Sequence, residues 1–270
     1  MIKIRYNPYV IFASNPSPVG IYARKKWLNQ EQTPQWKVDF QNAAQALLKE
    51  QSPDGSWQGS IVETIQHLFG LHLTIRESNQ PIDTALEWLV EKALRVMQGL
   101  SIPDEELGGS RLHSLPFTPG RFDLFVMSAT LFLSCTFGRA HDTDVLRMYE
   151  WLSRHVLSKE RKPPGWSSAN NILRALVVHP VYSRHASTAT LVMRLSQAQE
   201  ESGRWRKTVP LYQTVNALAH LDSEAADRQV RRAFGFLAET QHTDGTWGRA
   251  QREWDTFLVV HALRKKGILK

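Results

Sequence analysis

The stretch LLKEQSPDGSWQGS, residues 47–60, holds a glutamine, a glycine and a tryptophan in the spacing Gln-x3-Gly-x-Trp. The same spacing occurs twice more, and in each copy a leucine precedes the tryptophan by ten residues. A threonine follows the tryptophan and begins an apolar series with helical spacing. Each copy therefore predicts two helices joined by a tight turn. The three copies are Gln51/Gly55/Trp57, Gln199/Gly203/Trp205 and Gln241/Gly245/Trp247.

A period of about 42 residues links these turns along the chain. Two degenerate copies fill the gap between the first and second clean copies. An insertion at residues 99–120, rich in Gly, Pro and Ser, lengthens one step, and residues 19–29 supply one further helix. We predict a single all-α domain of five to six antiparallel helix pairs, with an N-terminal segment at 1–39 and repeats at 40–270. The equivalent leucines are Leu47, Leu89, Leu152, Leu195 and Leu237.

Each residue type of the spacing suits a corner between two helices. Such a corner leaves carbonyls of the first helix and amides of the second unpaired. A glutamine amide can bond to both kinds of helix end, and glycine takes the left-handed backbone of the turn. An indole can then cover the amide and exclude water. The pattern predicts corners sealed by buried tryptophans.

Composition excludes several classes of protein. A chain of 270 residues that is 42% hydrophobic can bury a large core. Its net charge of +7 comes from short basic clusters without aromatic interleaving, which argues against a nucleic-acid partner. The single cysteine, Cys135, excludes an internal disulfide and a multi-cysteine zinc site. With no apolar core for a signal peptide near the N-terminus, we expect a cytoplasmic protein.

The repeats resemble the QW repeats of the terpenoid cyclase and protein prenyltransferase superfamily, over about residues 40–266. This resemblance implies an α/α toroid, in which inner helices surround a central cavity and outer helices enclose them. It also implies a protein that holds an apolar ligand, isoprenoid in that superfamily, and a prenyl-substrate cyclase or transferase if it is an enzyme. A non-catalytic protein-binding scaffold, such as an open solenoid, and a polysaccharide-active α/α barrel remain alternatives.

Two reactions of the superfamily lack their residues in this chain. Class II cyclases protonate an alkene with an aspartic acid in the pattern Asp-x-Asp-Asp-Thr. The best superposition is residues 252–256, REWDT, where Trp254 stands in place of the acid. The zinc set of the prenyltransferases is missing too, because no aspartate lies two residues before Cys135. Whether the chain is an enzyme stays open, and we predict neither a metal nor a cofactor.

A polar residue precedes each repeated threonine, near the start of each inner helix: Glu63, Gln213 and Asp255. Facing a cavity, such residues could bind a polar group or act as acid and base. At a helix start they could equally be caps that complement the helix dipole.

Three residues are the candidates for catalysis. They are Glu63, Asp255 and His67, which lies four residues after Glu63 on the same helix face. The expected partner is an apolar or isoprenoid small molecule rather than a nucleic acid, with a peripheral membrane contact or a protein partner left open. The candidate cavity residues are Asp123, Asn171, Tyr212, Gln213 and Trp254.

Overall fold

The computed structural model describes residues 4–102 and 115–269, which contain eleven α-helices and no strand. The predicted all-α fold is confirmed. None of the described helices is both long and apolar enough to cross a bilayer. The helices are α1 Pro18–Lys26, α2 Pro34–Leu48, α3 Ile61–Thr74, α4 Gln80–Met97, α5 Phe122–Thr136, α6 Thr143–Leu157, α7 Trp166–Val178, α8 Ala186–Ala198, α9 Leu211–Ala219, α10 Glu224–Glu239 and α11 Arg252–Lys265.

The helices form two concentric layers. The odd-numbered helices form the inner layer, in which each packs against the next and α11 packs against α1, so the inner ring closes. The even-numbered helices lie outside, with α4, α6, α8 and α10 packed in sequence. This arrangement is an α/α toroid with six inner and five outer helices in the described residues. Because α2 begins at Pro34, the first repeat starts before residue 40.

The distribution of apolar residues along each helix explains which helices lie in the inner layer. Every residue of α5 from Leu124 to Ser134 is buried, since this helix meets the ring centre on one side and outer helices on the other. Helix α10 buries only one stripe, at Ala226, Gln229, Val230, Ala233, Phe234 and Leu237, and exposes its charged face.

The predicted tryptophan corners are buried, with Trp57 and Trp205 at 1% exposure and Trp247 at 0%. Each indole N–H donates to a carbonyl at the end of the preceding outer helix, which supplies one of the partners that a helix end lacks. The acceptors are Lys49 O at 3.1 Å, Leu195 O at 3.0 Å and Leu237 O at 2.7 Å, respectively.

The corner glutamine has a different role from the predicted one. Gln51 Nε2 donates to Gly55 O in its own turn and to Pro81 O of α4, at 2.9 and 2.8 Å. It therefore ties the turn to the next outer helix instead of joining the two helices of its own pair. The prediction was wrong because the indole already serves the end of the first helix. Gly55 has φ +91°, and a Cβ there would lie 2.5 Å from the carbonyl carbon of Thr84 in α4.

The N-terminal segment completes the last corner. Gln241 Nε2 donates to Tyr6 O, and its Oε1 accepts from the Arg5 and Tyr6 backbone amides, each at 3.0 Å. A Cβ on Gly245 would lie 2.1 Å from Asn7 O. Residues 5–7 thus take the place that the next outer helix occupies at the other two corners.

Candidate functional site

A cavity of about 190 Å³ lies at the centre of the inner ring, and all six inner helices contribute to its wall. One part of the wall is aromatic. Trp254 stacks on Phe257 with ring centroids 5.3 Å apart and meets the edge of Phe69 at 5.7 Å. Tyr22 and Phe132 extend this surface. An aromatic surface of this kind suits an apolar ligand.

The remainder of the wall is basic. It includes no Asp or Glu, and its cationic or titratable members are His72, Arg76, Arg174, His220 and His261. These residues lie in the later halves of the inner helices or just beyond them. The cavity is therefore displaced toward the C-terminal end of the ring, away from the early-helix polar residues.

Arg174 is the most buried charged group of the cavity, at 3% exposure. One guanidinium nitrogen donates to Asn216 Oδ1, whereas Nε has no hydrogen-bond partner. Burial lowers the pKa of Arg174 to about 9, so the side chain still carries its charge at pH 7. Arg174 is thus a buried cation without an acidic partner in the cavity wall.

The cavity histidines are neutral at pH 7. Burial, followed by the charge of Arg76, lowers the pKa of His72 to about 3. Burial and then the charge of Arg174 lower the pKa of His261 to about 4. His220 stacks on His261 at 5.1 Å, and burial depresses its pKa as well. A neutral ring carries one N–H and no charge. In His261, Nε2 already pairs with the Tyr22 hydroxyl at 3.3 Å.

The end of the insertion covers the N-terminal side of the ring. Asn171 accepts from the Thr118 backbone amide at 2.8 Å and donates to Thr118 O at 2.9 Å. The Trp254 indole donates to Leu115 O at 2.9 Å, and Pro116 lines the cavity. Residues 115–118 consequently span from α7 to α11. Residues 103–114 of the insertion lie outside the described residues.

Two of the candidate catalytic residues lie away from the cavity lining. His67 Nδ1 pairs with Leu47 O at 2.7 Å, and its ring stacks on Trp57 at 4.7 Å. His67 is therefore part of a corner between α2 and α3, because its helix face points toward the outer layer. Glu63 lies in the first turn of α3, where its backbone amide donates to Ser60 Oγ, and it does not line the cavity. The catalytic roles predicted for Glu63 and His67 stay predictions, with neither residue in the lining of this cavity.

Asp255 lies in the first turn of α11, close to Gly248 and Tyr212. A Cβ on Gly248 would lie 2.0 Å from Asp255 Oδ2, and the carboxylate adds to the burial that raises the pKa of Tyr212. Burial raises the pKa of Asp255 to about 7. This carboxyl is thus divided between its two protonation states near neutral pH, but it is not part of the cavity lining.

The other polar candidates do not form a ring around the cavity. Asp123 forms an ion pair with Arg121. Asn171 is engaged by Thr118, and Tyr212 and Gln213 lie in the first turn of α9, outside the lining. These residues lie outside the lining of this cavity, and a role for the polar residues at the inner-helix starts stays a prediction. Of the candidate cavity residues, only Trp254 lines the cavity.

The repeat pattern missed the basic residues because they do not occupy equivalent positions in successive repeats. One signal could have revealed Arg174, which is a lone charge within the apolar run NILRALVV at residues 171–178.

In residues 4–102 and 115–269, no three His, Cys, Asp or Glu side chains converge to hold a metal ion.

Solved structures with the same fold include variants of the type II terpene cyclase MstE from Scytonema. A variant in complex with geranylgeranyl dihydroxybenzoate has a TM-score of 0.62 and 13% identity, and the match covers 96% of this chain and 95% of that chain. A ligand-free variant gives 0.63 and 13%, with 98% and 96% covered. No protein-family model and no curated protein matches the chain. The chain therefore has a terpenoid cyclase-like fold.

Proposed function

We propose that this protein binds a short isoprenoid in its central cavity. The aromatic wall built from Trp254, Phe257 and Phe69 carries the proposal, since it offers an apolar surface at the ring centre. Structures of MstE with a geranylgeranyl substrate and with merosterolic acid A support an isoprenoid as the ligand class. The single cysteine supports a reducing, cytoplasmic location for this activity.

The size of the cavity favours a short chain. Its volume of about 190 Å³ lies below the roughly 300–1,000 Å³ typical of sites for drug-sized ligands. Large side chains, including Phe132 and Trp254, occupy the centre of the ring. A short isoprenoid should therefore bind more tightly than a long one.

Binding without alkene protonation is the role that the site supports best. Trp254 stands at the position of the class II acid, and its N–H is engaged by Leu115 O. No carboxyl group lines the cavity among the described residues. An alkene held against this wall has no proton donor of the class II kind beside it.

Titration with uncharged prenyl alcohols tests the proposal. We expect geraniol to bind the purified protein more tightly than farnesol or geranylgeraniol in isothermal titration calorimetry. Val178→Trp should weaken geraniol binding at least tenfold, because Val178 lines the cavity. Val181→Trp is the matched control, since Val181 is 62% exposed on the surface. Equal binding by both variants, or no binding by wild type, would reject the cavity as the site and favour a scaffold role.

Acid–base catalysis by Asp255 is a second candidate, supported by its raised pKa of about 7. Mass spectrometry of prenyl alcohols after incubation with wild-type protein, Asp255→Asn and Glu63→Gln tests it. Product formed by wild type and lost in Asp255→Asn would indicate catalysis, whereas recovery of unaltered alcohol from all three would leave binding as the function.

A further inference from the structure

We propose that the basic end of the central cavity binds the oxyanion head group of the ligand, a carboxylate or a phosphate, through Arg174 and Arg76. The inference shares the cavity of the proposed function and narrows its ligand to an anionic amphiphile. The aromatic wall would hold the short apolar chain, and the two guanidinium groups would hold the head. Guanidinium groups suit this role because their planar fork matches two oxygens of a carboxylate or phosphate.

The burial of Arg174 is the first observation behind this proposal. Its side chain is 3% exposed, it pairs only with the neutral amide of Asn216, and its Nε has no partner. Buried charges in proteins are normally paired, because an uncompensated charge loses its hydration without a replacement. An anion in the cavity would supply the missing partner.

The neighbouring groups form the second observation. His72 Nδ1 is a buried ring nitrogen without a hydrogen-bond partner, and it belongs to the same wall. Arg76 lies over the Tyr22 ring at 5.2 Å and makes no ion pair within the described residues. Arg76 and Arg174 both line this cavity.

Among the described residues, the lining of the cavity carries no negative charge that would compensate these cations. The wall contributed by the six inner helices contains no carboxylate. Beyond the wall, Arg264 and Lys265 add positive charge near His261. Lys266 contributes less, because it pairs with Asp227 at 2.7 Å. The potential in this half of the cavity is therefore positive, as an anion site requires.

A helix-end role does not account for Arg174. Cations near the C-terminus of a helix can complement its dipole by contacting the last carbonyls. Arg174 lies four residues before the end of α7 at Val178 and donates to Asn216 of α9 instead. Its position across the ring is better explained by a ligand between the helices.

Small anions without a prenyl chain test this inference separately from isoprenoid binding. We would titrate wild-type protein with benzoate and with inorganic phosphate at constant ionic strength, and follow heat release and thermal unfolding. At least one anion should bind and raise the unfolding temperature, since a ligand specific to the folded state stabilises it. The anion that binds more tightly identifies the head group as carboxylate or phosphate.

Arg174→Met is the decisive variant, because it keeps an unbranched side chain and removes the charge. It should bind the preferred anion at least tenfold more weakly while its unliganded protein unfolds at the same or a higher temperature. Arg194→Met is the matched control, since Arg194 lies over Trp166 outside the cavity and should leave anion binding unchanged. If Arg174→Met does not fold, Arg76→Met takes its place with the same expected loss.

Two results would overturn the proposal: no binding of either anion by wild type, or equal affinity in wild type and the cavity variant. If the anion site is wrong and the isoprenoid site is right, the wild-type protein should still bind geraniol in both cases. Loss of geraniol binding with retained anion binding would contradict the proposed isoprenoid function alone.

Discussion

The tryptophan corners and the basic end of the cavity differ in how their buried polar groups are satisfied. At the corners, Gln51 and Gln241 bond to backbone of the neighbouring unit, and each tryptophan indole finds a carbonyl. At the basic end, Arg174 Nε and His72 Nδ1 are buried without partners. Native proteins satisfy most buried polar groups. We infer that the corners hold the fold, whereas an anion at the basic end would pair these groups.

The largest predicted effect is at a corner. Trp247→Ala should lower the free energy of unfolding by about 3–5 kcal/mol, because it removes a fully buried indole and its bond to Leu237 O. Trp166→Ala, at a degenerate copy, should cost about half as much or less, since that ring is only partly buried. Urea unfolding monitored by circular dichroism measures both. Equal losses of unfolding free energy in the two variants would show that clean and degenerate corners do not differ in their contribution to stability.

A glycine substitution tests the closing of the ring by the N-terminal segment. Gly245→Ala should cost about 2–3 kcal/mol, because its φ of +86° disfavours a Cβ and that Cβ would collide with Asn7 O. Gly59→Ala is the matched control for Gly245→Ala. Gly59 also has a positive φ, of +63°, but nothing lies within 4 Å of its added Cβ. Its loss should be about 1 kcal/mol in the same urea experiment. Indistinguishable values would mean that residues 5–7 do not pack against this corner.

At the basic end the sign of the effect should reverse. Arg174→Met should raise the free energy of unfolding of the unliganded protein by about 1 kcal/mol, because an apolar side chain replaces a buried charge without an acidic partner. Chemical unfolding in a buffer free of multivalent anions measures the change. A loss of several kcal/mol would show that Arg174 is structural and would remove the contrast between the corners and the basic end.

The smallest effect concerns pH and Asp255. Its pKa of about 7 in the folded protein lies above the unfolded value near 3.9, so the folded state binds more protons between these values. Stability from this group is complete at low pH and is lost as pH rises from about 4 to 7. Solvent screening limits the effect to the order of 1 kcal/mol. Asp255→Asn should flatten the stability profile over this range, and Asp222→Asn, an exposed control, should not. A parallel profile in both variants would contradict the assignment.

The sequence predicted the fold well because corners repeat. The spacing of Gln, Gly and Trp indicated the helix pairs, and the toroid followed from the resemblance. The cavity could not be predicted in the same way, because Arg76 and Arg174 occupy non-equivalent positions and line one cavity only when the ring closes. The polar residue before each threonine lies outside the lining of this cavity, on the side of the ring where the corners and residues 115–118 lie.

The most direct test of the central claim is a crystal structure of the protein soaked with geranic acid, a short prenyl chain that ends in a carboxylate. The predicted result is a chain against Phe69, Trp254 and Phe257 with its carboxylate at Arg174. A ligand bound instead beside Asp255, or on the outer surface of the toroid, would contradict the assignment of the cavity as the binding site.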